Sequence, residues 1–264
     1  MASRSKTNLL SKCVSAINLL EAIAHKGHDY LKKFQTEVRL MKKKYLGEPI
    51  AVIGPKASGK STFLKYLQNQ NISDQDLKTY RATEKDDYKG FKCKWTIPIT
   101  ETLDEEFIFL VQKSSDVGGE KYLRDEHWLP LIEKSRVILF IIDGERVIKK
   151  NDLEYKASLI EDLVWIGERA NHLKKNSRII PVINKIDLMC DYGKSYDDFS
   201  IENKDNLEEL FNLARNQWPK AYRKKITNYV LCSLIHKTMR VDAVLEIIKQ
   251  IMGDEILNAL KKNE

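Results

Sequence analysis

The spacing of apolar positions divides the chain near residue 47. Before that point, apolar or small residues recur at alternating steps of three and four, as they do on a helix with one buried seam. The members of this seam are Leu10, Cys13, Ile17, Leu20, Ala24, Leu31, Phe34, Val38, Met41 and Tyr45. Gly27 takes the seam position between the two halves, and Asp29 is suited to cap a second helix. We therefore expect a helical extension over 1–46, either one kinked helix or a two-helix hairpin, followed by a separate domain over 47–264.

From residue 50 onward, short apolar runs alternate with helical patterns. Continuous apolar runs are typical of strands covered on both faces, and they occur at 50–53, 137–142 and 179–183, with a last strand expected at 228–232. Two further strand-like segments, 91–100 and 107–113, are joined by the polar residues 101–106 and predict a β-hairpin.

Helical patterns fill the intervals between these strands. We expect helices over 62–67, from about 151 to 173, over 206–218 and from about 241 onward. Asn151 and Glu154 form a candidate capping box for the second helix, and the polar stretch 190–204 is expected to be an exposed loop. Strands that alternate with helices predict a doubly wound, mostly parallel α/β sheet, and the hairpin adds one antiparallel edge strand.

A glycine-rich motif follows the first predicted strand. Residues 54–61 read Gly-Pro-Lys-Ala-Ser-Gly-Lys-Ser, which matches a phosphate-binding loop between a strand and a helix. Its glycines let successive backbone N–H groups face a polyphosphate, and the helix that follows adds its positive end. Lys60 is expected to reach the β- and γ-phosphates, and Ser61 to bind Mg²⁺. The residues assigned here to nucleotide binding are Gly54, Ser58, Gly59, Lys60, Ser61 and Thr62.

A second motif distinguishes between nucleotide bases. Asn184-Lys185-Ile186-Asp187 follows the predicted buried strand and matches the guanine signature Asn-Lys-x-Asp. The Asp187 carboxylate can accept hydrogen bonds from N1–H and the 2-amino group of guanine, whereas adenine offers neither donor. Paired contacts of this type discriminate between bases by about 1–3 kcal/mol. We therefore assign Asn184, Lys185 and Asp187 to nucleotide binding.

The third motif is Asp116-Val-Gly-Gly119-Glu120, which follows the second strand of the predicted hairpin. It matches the pattern Asp-x-x-Gly, in which the aspartate holds magnesium through water and the glycine amide senses the γ-phosphate. A four-residue pattern alone is weak evidence. Its position in the sequence between the first and second motifs makes the match specific.

These ordered motifs resemble those of Ras-superfamily P-loop GTPases, and the stretch from Asp116 to Trp128, with 137–143, is most similar to the Arf-like branch. The resemblance spans roughly residues 48–252. It implies a P-loop GTPase fold and a GTP- and Mg²⁺-dependent molecular switch that hydrolyses GTP to GDP and phosphate. It also implies weaker guanine contacts from Ser233 and Leu234, in a loop that lacks the Ala and Lys of the family's Ser-Ala-Lys-like pattern.

Two departures from the family pattern bear on catalysis. The switch threonine that closes on magnesium has two candidates, of which Thr83 is preferred over Thr79. Glu120 replaces the family's water-positioning glutamine, and a carboxylate repels the γ-phosphate and lacks the amide's N–H donor. We expect slow hydrolysis without a partner. The residues assigned to catalysis are Lys60, Thr83, Gly119 and Glu120, and those assigned to magnesium are Ser61, Thr83 and Asp116.

Composition and charge bear on location and partners. Four scattered cysteines predict reduced thiols in the cytoplasm, and the chain shows neither a signal peptide nor a run of about 18 apolar residues. The net charge of +7 is concentrated in tracts such as 42–44 and 223–225, which we interpret first as solvated basic surfaces. The extension over 1–46 has three readings: a structural appendage, an oligomerisation helix or a helix on a membrane surface.

Two other functional classes stay open at this point. A GTP-binding scaffold without hydrolysis fits Glu120 and the two threonine candidates, and a P-loop ATPase or kinase fits 54–61 alone, although 184–187 argue against it. The expected partners are a guanine nucleotide and a protein effector or activator, with a homo-oligomer and a peripheral membrane site as open alternatives. Nucleic acid is not expected, because the four tryptophans form no stacking motif.

Overall fold

The computed structural model describes most of the predicted domain. The described residues are 47–79, 87–88, 90–98, 104–112, 114–115, 124–189 and 196–252. The expected helical extension over 1–46 lies outside them, so its three readings stay open.

A six-stranded sheet forms the centre of the domain. The described strands are β1 Glu48–Ile53, β2 Asp87–Tyr88, β3 Phe91–Pro98, β4 Asp104–Val111, β5 Ser114–Ser115, β6 Val137–Asp143, β7 Arg178–Asn184 and β8 Val230–Leu231. The sheet has the order β3-β4-β1-β6-β7-β8, and β2 pairs separately with β5. β3 and β4 are antiparallel, whereas all other neighbours in the six-stranded sheet are parallel. The predicted mostly parallel α/β sheet with one antiparallel edge strand is confirmed.

The apolar sequences of the central strands explain their positions. All seven residues of β6 are buried, as are six of the seven in β7. The two strands pair along their full length, from Val137 opposite Arg178 to Asp143 opposite Asn184. Strands this apolar require cover on both faces, which places them at the middle of a parallel sheet.

Helices provide that cover. They are α1 Lys60–Gln68, α2 Asp74–Thr79, α3 Leu129–Lys134, α4 Leu153–Glu168, α5 Tyr196–Asn216 and α6 Lys237–Met252. On one face α1 and α6 contribute buried residues such as Phe63 and Val244, and on the other α3, α4 and α5 contribute Ile132, Leu163 and Phe211. This two-sided packing is the doubly wound arrangement. None of the helices in the described ranges has both the length and the apolar character needed to cross a bilayer.

The start of α4 differs from the predicted capping box. Its N-cap is Asp152, whose side chain accepts a hydrogen bond from the Tyr155 N–H at 2.9 Å. Asn151 lies one residue earlier in a left-handed conformation with φ 46°. The capping box of Asn151 and Glu154 is therefore wrong, because Asp152 is the side chain aimed at the first turn. At its other end the helix stops at Glu168 rather than near 173, and a 3₁₀ turn follows at Ala170–His172.

Two other helices begin earlier than predicted, and the last strand is shorter. α5 starts at Tyr196 rather than at 206, so residues 196–204 of the expected loop are helical. The helical spacing of apolar residues that runs from Phe199 to the buried Leu207 and Leu210 is interrupted at Asn203, which is why no continuous apolar seam indicates its start. α6 starts at Lys237 rather than 241, and β8 covers only Val230–Leu231.

A glycine near the end of α4 lets α5 and the segment after it approach closely. A Cβ at Gly167 would lie 2.4 Å from Cδ1 of Trp218, whose indole is buried. The indole Nε1–H donates to the Leu163 carbonyl oxygen of α4 at 2.8 Å. The absence of a side chain at Gly167 therefore makes room for the indole that fastens these elements together.

Replacing Gly167 with alanine tests this packing. Alanine in an ordinary helix is more favourable than glycine by about 0.5–1 kcal/mol. Here the new methyl group meets the rigid indole, so we expect the free energy of unfolding in urea to fall by about 1–3 kcal/mol. As a control, the same change in a Trp218→Leu background should cost much less. A gain in stability from Gly167→Ala alone would contradict this account.

Candidate functional site

The sequence motifs meet at one edge of the sheet. β1, β6, β7 and β8 are parallel, so their carboxyl ends share an edge. Residues 54–61 follow β1, Asp143 ends β6, Asn184 ends β7, and 232–234 follow β8. In open parallel sheets this edge is where ligands bind.

The glycine-rich loop has backbone angles that require its glycines. Gly54 has φ 146°, and a Cβ there would lie 2.3 Å from the Ile141 carbonyl oxygen of β6. Gly59 has φ 97°, and a Cβ there would lie 2.2 Å from Nδ2 of Asn184. Both positions combine a left-handed backbone with a close approach to the neighbouring strands, which only glycine tolerates. The loop is thus pressed against β6 and the end of β7.

Two side chains from the Asn-Lys-x-Asp motif hold the loop. Asn184 donates from Nδ2 to the Ser58 carbonyl oxygen at 3.0 Å, in a buried hydrogen bond. Lys185 donates from Nζ to the Ala57 carbonyl oxygen at 2.8 Å. The first and second motifs, which lie far apart in sequence, therefore form one connected structure.

Asp143 supports this arrangement and has no role among the sequence predictions. Its Oδ2 lies 2.5 Å from Nζ of Lys185, and its Oδ1 accepts from the backbone N–H of Arg146 at 3.3 Å. Its own N–H donates to the hydroxyl oxygen of Tyr155 at 2.9 Å. The carboxylate is buried and orients the lysine that spans to the loop. A single acid at the end of an otherwise apolar strand is the sequence signal that could have identified it.

Asp187 is positioned by the loop after β8. The Ser233 hydroxyl donates to Oδ1 of Asp187 at 2.6 Å. The two segments are also joined through the backbone, because the Ile186 N–H donates to the Cys232 carbonyl oxygen at 3.3 Å. Leu234 is buried beside the glycine-rich loop, with Cδ1 3.8 Å from the Cβ position of Gly59. The structure thus joins Asp187 to Ser233 and places Leu234, the next residue in that segment, beside the loop predicted to bind phosphate.

The first turn of α1 completes the site. Lys60 and Ser61 are buried, and Thr62 is half-buried. The Lys60 ammonium donates to the Pro55 carbonyl oxygen at 2.7 Å, so it reaches back across the loop. Gly59 caps the helix without a side-chain hydrogen bond. A helix start of this kind presents backbone N–H groups and a positive dipole to an anion.

Two buried polar atoms at the loop are unpaired within the described residues. In the described part of the chain, Oγ of Ser58 and Oδ1 of Asn184 have no hydrogen-bond partner. Leaving such an atom unpaired costs about 1–3 kcal/mol. Together with the curled backbone and Lys60, these atoms fit a phosphate-bearing nucleotide.

Four predicted site residues lie outside the described residues. They are Thr83, Asp116, Gly119 and Glu120. Thr79 is the last residue of α2, but the structure does not describe its side chain. Over the ranges that are described, no group of three or more His, Cys, Asp and Glu side chains could hold a metal ion. The magnesium assignment of Ser61, Thr83 and Asp116 stays a prediction.

A buried ion pair lies directly after the third motif. Arg124 is the first described residue after 116–123, and its guanidinium contacts the carboxylate of Asp162 in α4. Both side chains are almost fully buried. Burial raises the pKa of Asp162 from 3.8 to about 7, and the positive charges of Arg124 and Lys60 oppose this rise. The sequence feature that could have revealed this buried ion pair is an acidic residue on the apolar face of α4, between Leu159 and Leu163.

Comparison with known proteins gives only low similarities. No protein-family model and no curated protein matches the chain. The structure of the mammalian SRP receptor shares 17% identity, covering 77% of this chain and 100% of that chain with a TM-score of 0.46. Roco2 RocCORdC of Methanosarcina barkeri, solved bound to GDP, shares 16% identity, covering 78% of this chain and 48% of that chain with a TM-score of 0.38. At such low identities and scores, the activity has to be argued from the site itself.

The Asp162 carboxyl group predicts a pH dependence of stability. Because its pKa is higher in the folded protein, the folded state binds the proton more tightly than the unfolded state. The contribution of Asp162 to the free energy of unfolding is therefore fully present below about pH 4 and is lost as the pH rises through about 7. Urea unfolding of the wild type and Asp162→Asn across this range measures it. We expect the wild type to lose stability relative to the variant as pH rises, and a difference that stays constant or grows would contradict the assignment.

Proposed function

We propose that the chain binds a guanine nucleotide through the edge formed by 54–61, 184–187 and 232–234. The observation that carries the proposal is the joining of the two motifs: Asn184 and Lys185 hold the glycine-rich loop, while Ser233 holds Asp187 beside it. A phosphate-binding element and a base-selecting carboxylate are thus set in one rigid frame. Such preorganisation reduces the ordering cost of binding.

The phosphate end of the nucleotide is assigned to the loop and the start of α1. The backbone N–H groups of 54–61 would surround the phosphates, and Lys60 would exchange its contact with the Pro55 carbonyl for phosphate oxygens. The unpaired Ser58 hydroxyl would gain a polar partner on binding. These groups recognise any nucleoside triphosphate, so they do not select the base.

Base selection is assigned to Asp187. A carboxylate accepts only, so its partners on the base must be donors, which guanine supplies through N1–H and its 2-amino group. The Ser233 hydrogen bond fixes one carboxylate oxygen and restricts the rotation of the side chain. An adenine base would leave this acceptor without donors, and such losses are costly in a site built to hydrogen-bond its ligand.

Hydrolysis and switching form the finer part of the proposal. We propose that the chain hydrolyses GTP to GDP and phosphate with Mg²⁺ held by Ser61, Thr83 and Asp116, as its likeness to the Arf-like branch implies. Mg²⁺ would neutralise the charge that develops on the phosphates. Thr83 and Gly119 would respond to the γ-phosphate, so the bound nucleotide would control a partner surface. Glu120 would make the isolated chain slow.

Other aspects of the proposal rest on the sequence. We place the chain in the cytoplasm, with a protein effector or activator as partner and with residues 1–46 as a candidate oligomerisation or membrane element. The rival functions are a GTP-binding scaffold without hydrolysis and a P-loop ATPase. The first is distinguished by multiple-turnover phosphate release, and the second by competition between nucleotides.

The variant Asp187→Asn tests base selection. The amide keeps the size and one acceptor of the carboxylate but replaces the other acceptor with a donor, so it cannot pair with both guanine donors. We expect GTP and GDP affinity to fall by roughly ten- to a hundredfold, as for the loss of about 1–3 kcal/mol of base pairing. Titration with fluorescent GTP, GDP and ATP in Mg²⁺ measures this effect.

The matched control is Asp205→Asn, the same change at an exposed position of α5 away from the site. It should leave all three affinities unchanged. Equal affinity of the wild type for ATP and GTP would overturn the proposed role of Asp187. An unchanged GTP affinity in Asp187→Asn would do the same.

The variant Glu120→Gln tests the reason for slow hydrolysis. An amide adds a hydrogen-bond donor and removes a negative charge near the γ-phosphate. We expect the rate of multiple-turnover phosphate release to rise by roughly ten- to a hundredfold. At other catalytic sites, a single hydrogen-bond donor to a developing negative charge raises the rate by that much or more. Lys60→Ala serves as the negative control and should abolish release. A rate that is measurable in the wild type and falls in Glu120→Gln would show instead that the carboxylate assists catalysis.

A further inference from the structure

Three neighbouring segments at the end of the domain opposite the candidate nucleotide site are rich in basic residues. The segments are 134–136 before β6, 174–178 leading into the first residue of β7, and 220–225 before β8. They hold two, three and four Lys or Arg residues respectively, and no Asp or Glu. This local excess is larger than the net charge of +7 of the whole chain. These three segments thus concentrate positive charge on the β6–β8 side of this edge, whereas β4, on the other side of β1, starts at the same edge with the acidic residues Asp104-Glu-Glu.

Hydrogen bonds join these segments into one surface. The Lys174 ammonium donates to the Lys134 carbonyl oxygen, and the Lys225 ammonium donates to the Lys174 carbonyl oxygen at 2.7 Å. The backbone N–H of Arg178 donates to the Arg136 carbonyl oxygen at 2.8 Å. The basic residues therefore come from neighbouring loops in contact rather than from separate parts of the surface.

Six of these residues form what we call the basal patch. All are exposed, and they are Lys134, Arg136, Lys174, Lys175, Lys220 and Lys224. Within the described part of the chain, no carboxylate forms an ion pair with any of them. The nearest acid in sequence, Glu133, contacts His172 instead, with 2.8 Å between Oε1 and Nδ1. Uncompensated like charges held together attract anionic partners.

The basal patch and the nucleotide site lie at opposite ends of the parallel strands. β6 runs from Val137, next to Arg136, to Asp143 in the candidate site. Seven residues of extended chain span roughly 20 Å. A large anionic surface could therefore contact the basal patch while the nucleotide site stays open.

The form of the surface favours a bilayer over single-stranded nucleic acid. Single-stranded nucleic acids are held by exposed aromatic side chains on which bases stack. Here Trp218 is buried, and Tyr222 packs against the core beneath the patch. No side chain of this region resembles a stacking platform among the residues described.

The chain also enters the domain at this end. The Arg136 N–H donates to the carbonyl oxygen of Pro49 in β1 at 2.9 Å, so the start of β1 adjoins the basal patch. In sequence, the tract Lys42-Lys43-Lys44 and the apolar seam of 1–46 come immediately before it. A polybasic surface attracts anionic lipids, and the sequence next to it carries the apolar seam expected of an amphipathic helix.

We propose that the basal patch docks on the surface of a bilayer that contains anionic phospholipids. The contact holds the domain with its nucleotide site facing away from the membrane. It is independent of the guanine-nucleotide proposal, because none of its residues belongs to that site.

Vesicle flotation of the full chain tests the docking surface. The vesicles are phosphatidylcholine alone or phosphatidylcholine with phosphatidylserine. The patch variant carries Lys175→Gln, Lys220→Gln and Lys224→Gln, and the control carries Lys92→Gln, Lys204→Gln and Lys237→Gln, all at exposed lysines. Both variants lose the same charge, so they separate the location of the charge from its amount. Circular dichroism and urea unfolding check that each variant is folded.

We expect the wild type and the control to float with phosphatidylserine vesicles and to be released by salt. Each basic residue near an anionic surface strengthens binding by about fivefold, so the patch variant should bind about a hundredfold more weakly. Equal binding by both variants would overturn the proposal, as would equal binding to vesicles without phosphatidylserine. Failure to float, with patch-dependent retention of duplex RNA or DNA in a gel shift, would assign the surface to nucleic acid instead.

Discussion

The close approach between Gly59 and Asn184 is the constraint on which the site depends. A single added carbon at Gly59 would collide with the Asn184 amide, and that amide holds the carbonyl oxygen of Ser58. The glycine-rich loop can therefore lie against β7 only with this backbone and this side chain. A carboxylic acid in place of the amide would lose the N–H donor that makes the contact. This contact and that of Lys185 with Ala57 join the loop proposed to bind phosphate to the motif proposed to select the base.

The sheet makes that approach possible. β1, β6 and β7 are aligned in parallel by apolar sequences that must be covered on both faces, and their carboxyl ends meet at one edge. Asp143 lies at the end of β6, where it fixes the Lys185 ammonium that reaches the loop. The opposite edge collects the loops of the basal patch. One packing arrangement thus gives the domain two chemically different ends.

Much of the fold could be predicted from the sequence, because continuous apolar strands and alternating helices leave few arrangements open. The start of α5 could not, since Asn203 interrupts the apolar spacing between Phe199 and Leu207. The cap of α4 was misplaced by one residue because Asn151 and Asp152 are both good caps, and only the backbone shows which one reaches Tyr155. At the site, the sequence motifs identified segments that the structure places at one edge of the sheet. Asn184 holds the glycine-rich loop, and Asp143 holds the ammonium group of Lys185. Both roles depend on long-range contacts that no local sequence pattern encodes.

The most direct test of the central claim, guanine selection, is the ranking of three triphosphates by calorimetric titration of the wild-type chain in Mg²⁺. Inosine triphosphate keeps N1–H and lacks the 2-amino group, whereas ATP lacks both donors. If Asp187 reads both donors, GTP binds most tightly, inosine triphosphate binds about ten- to a hundredfold more weakly, and ATP binds weakest. Equal affinities for the three nucleotides would contradict the account, because the phosphates alone would then determine binding.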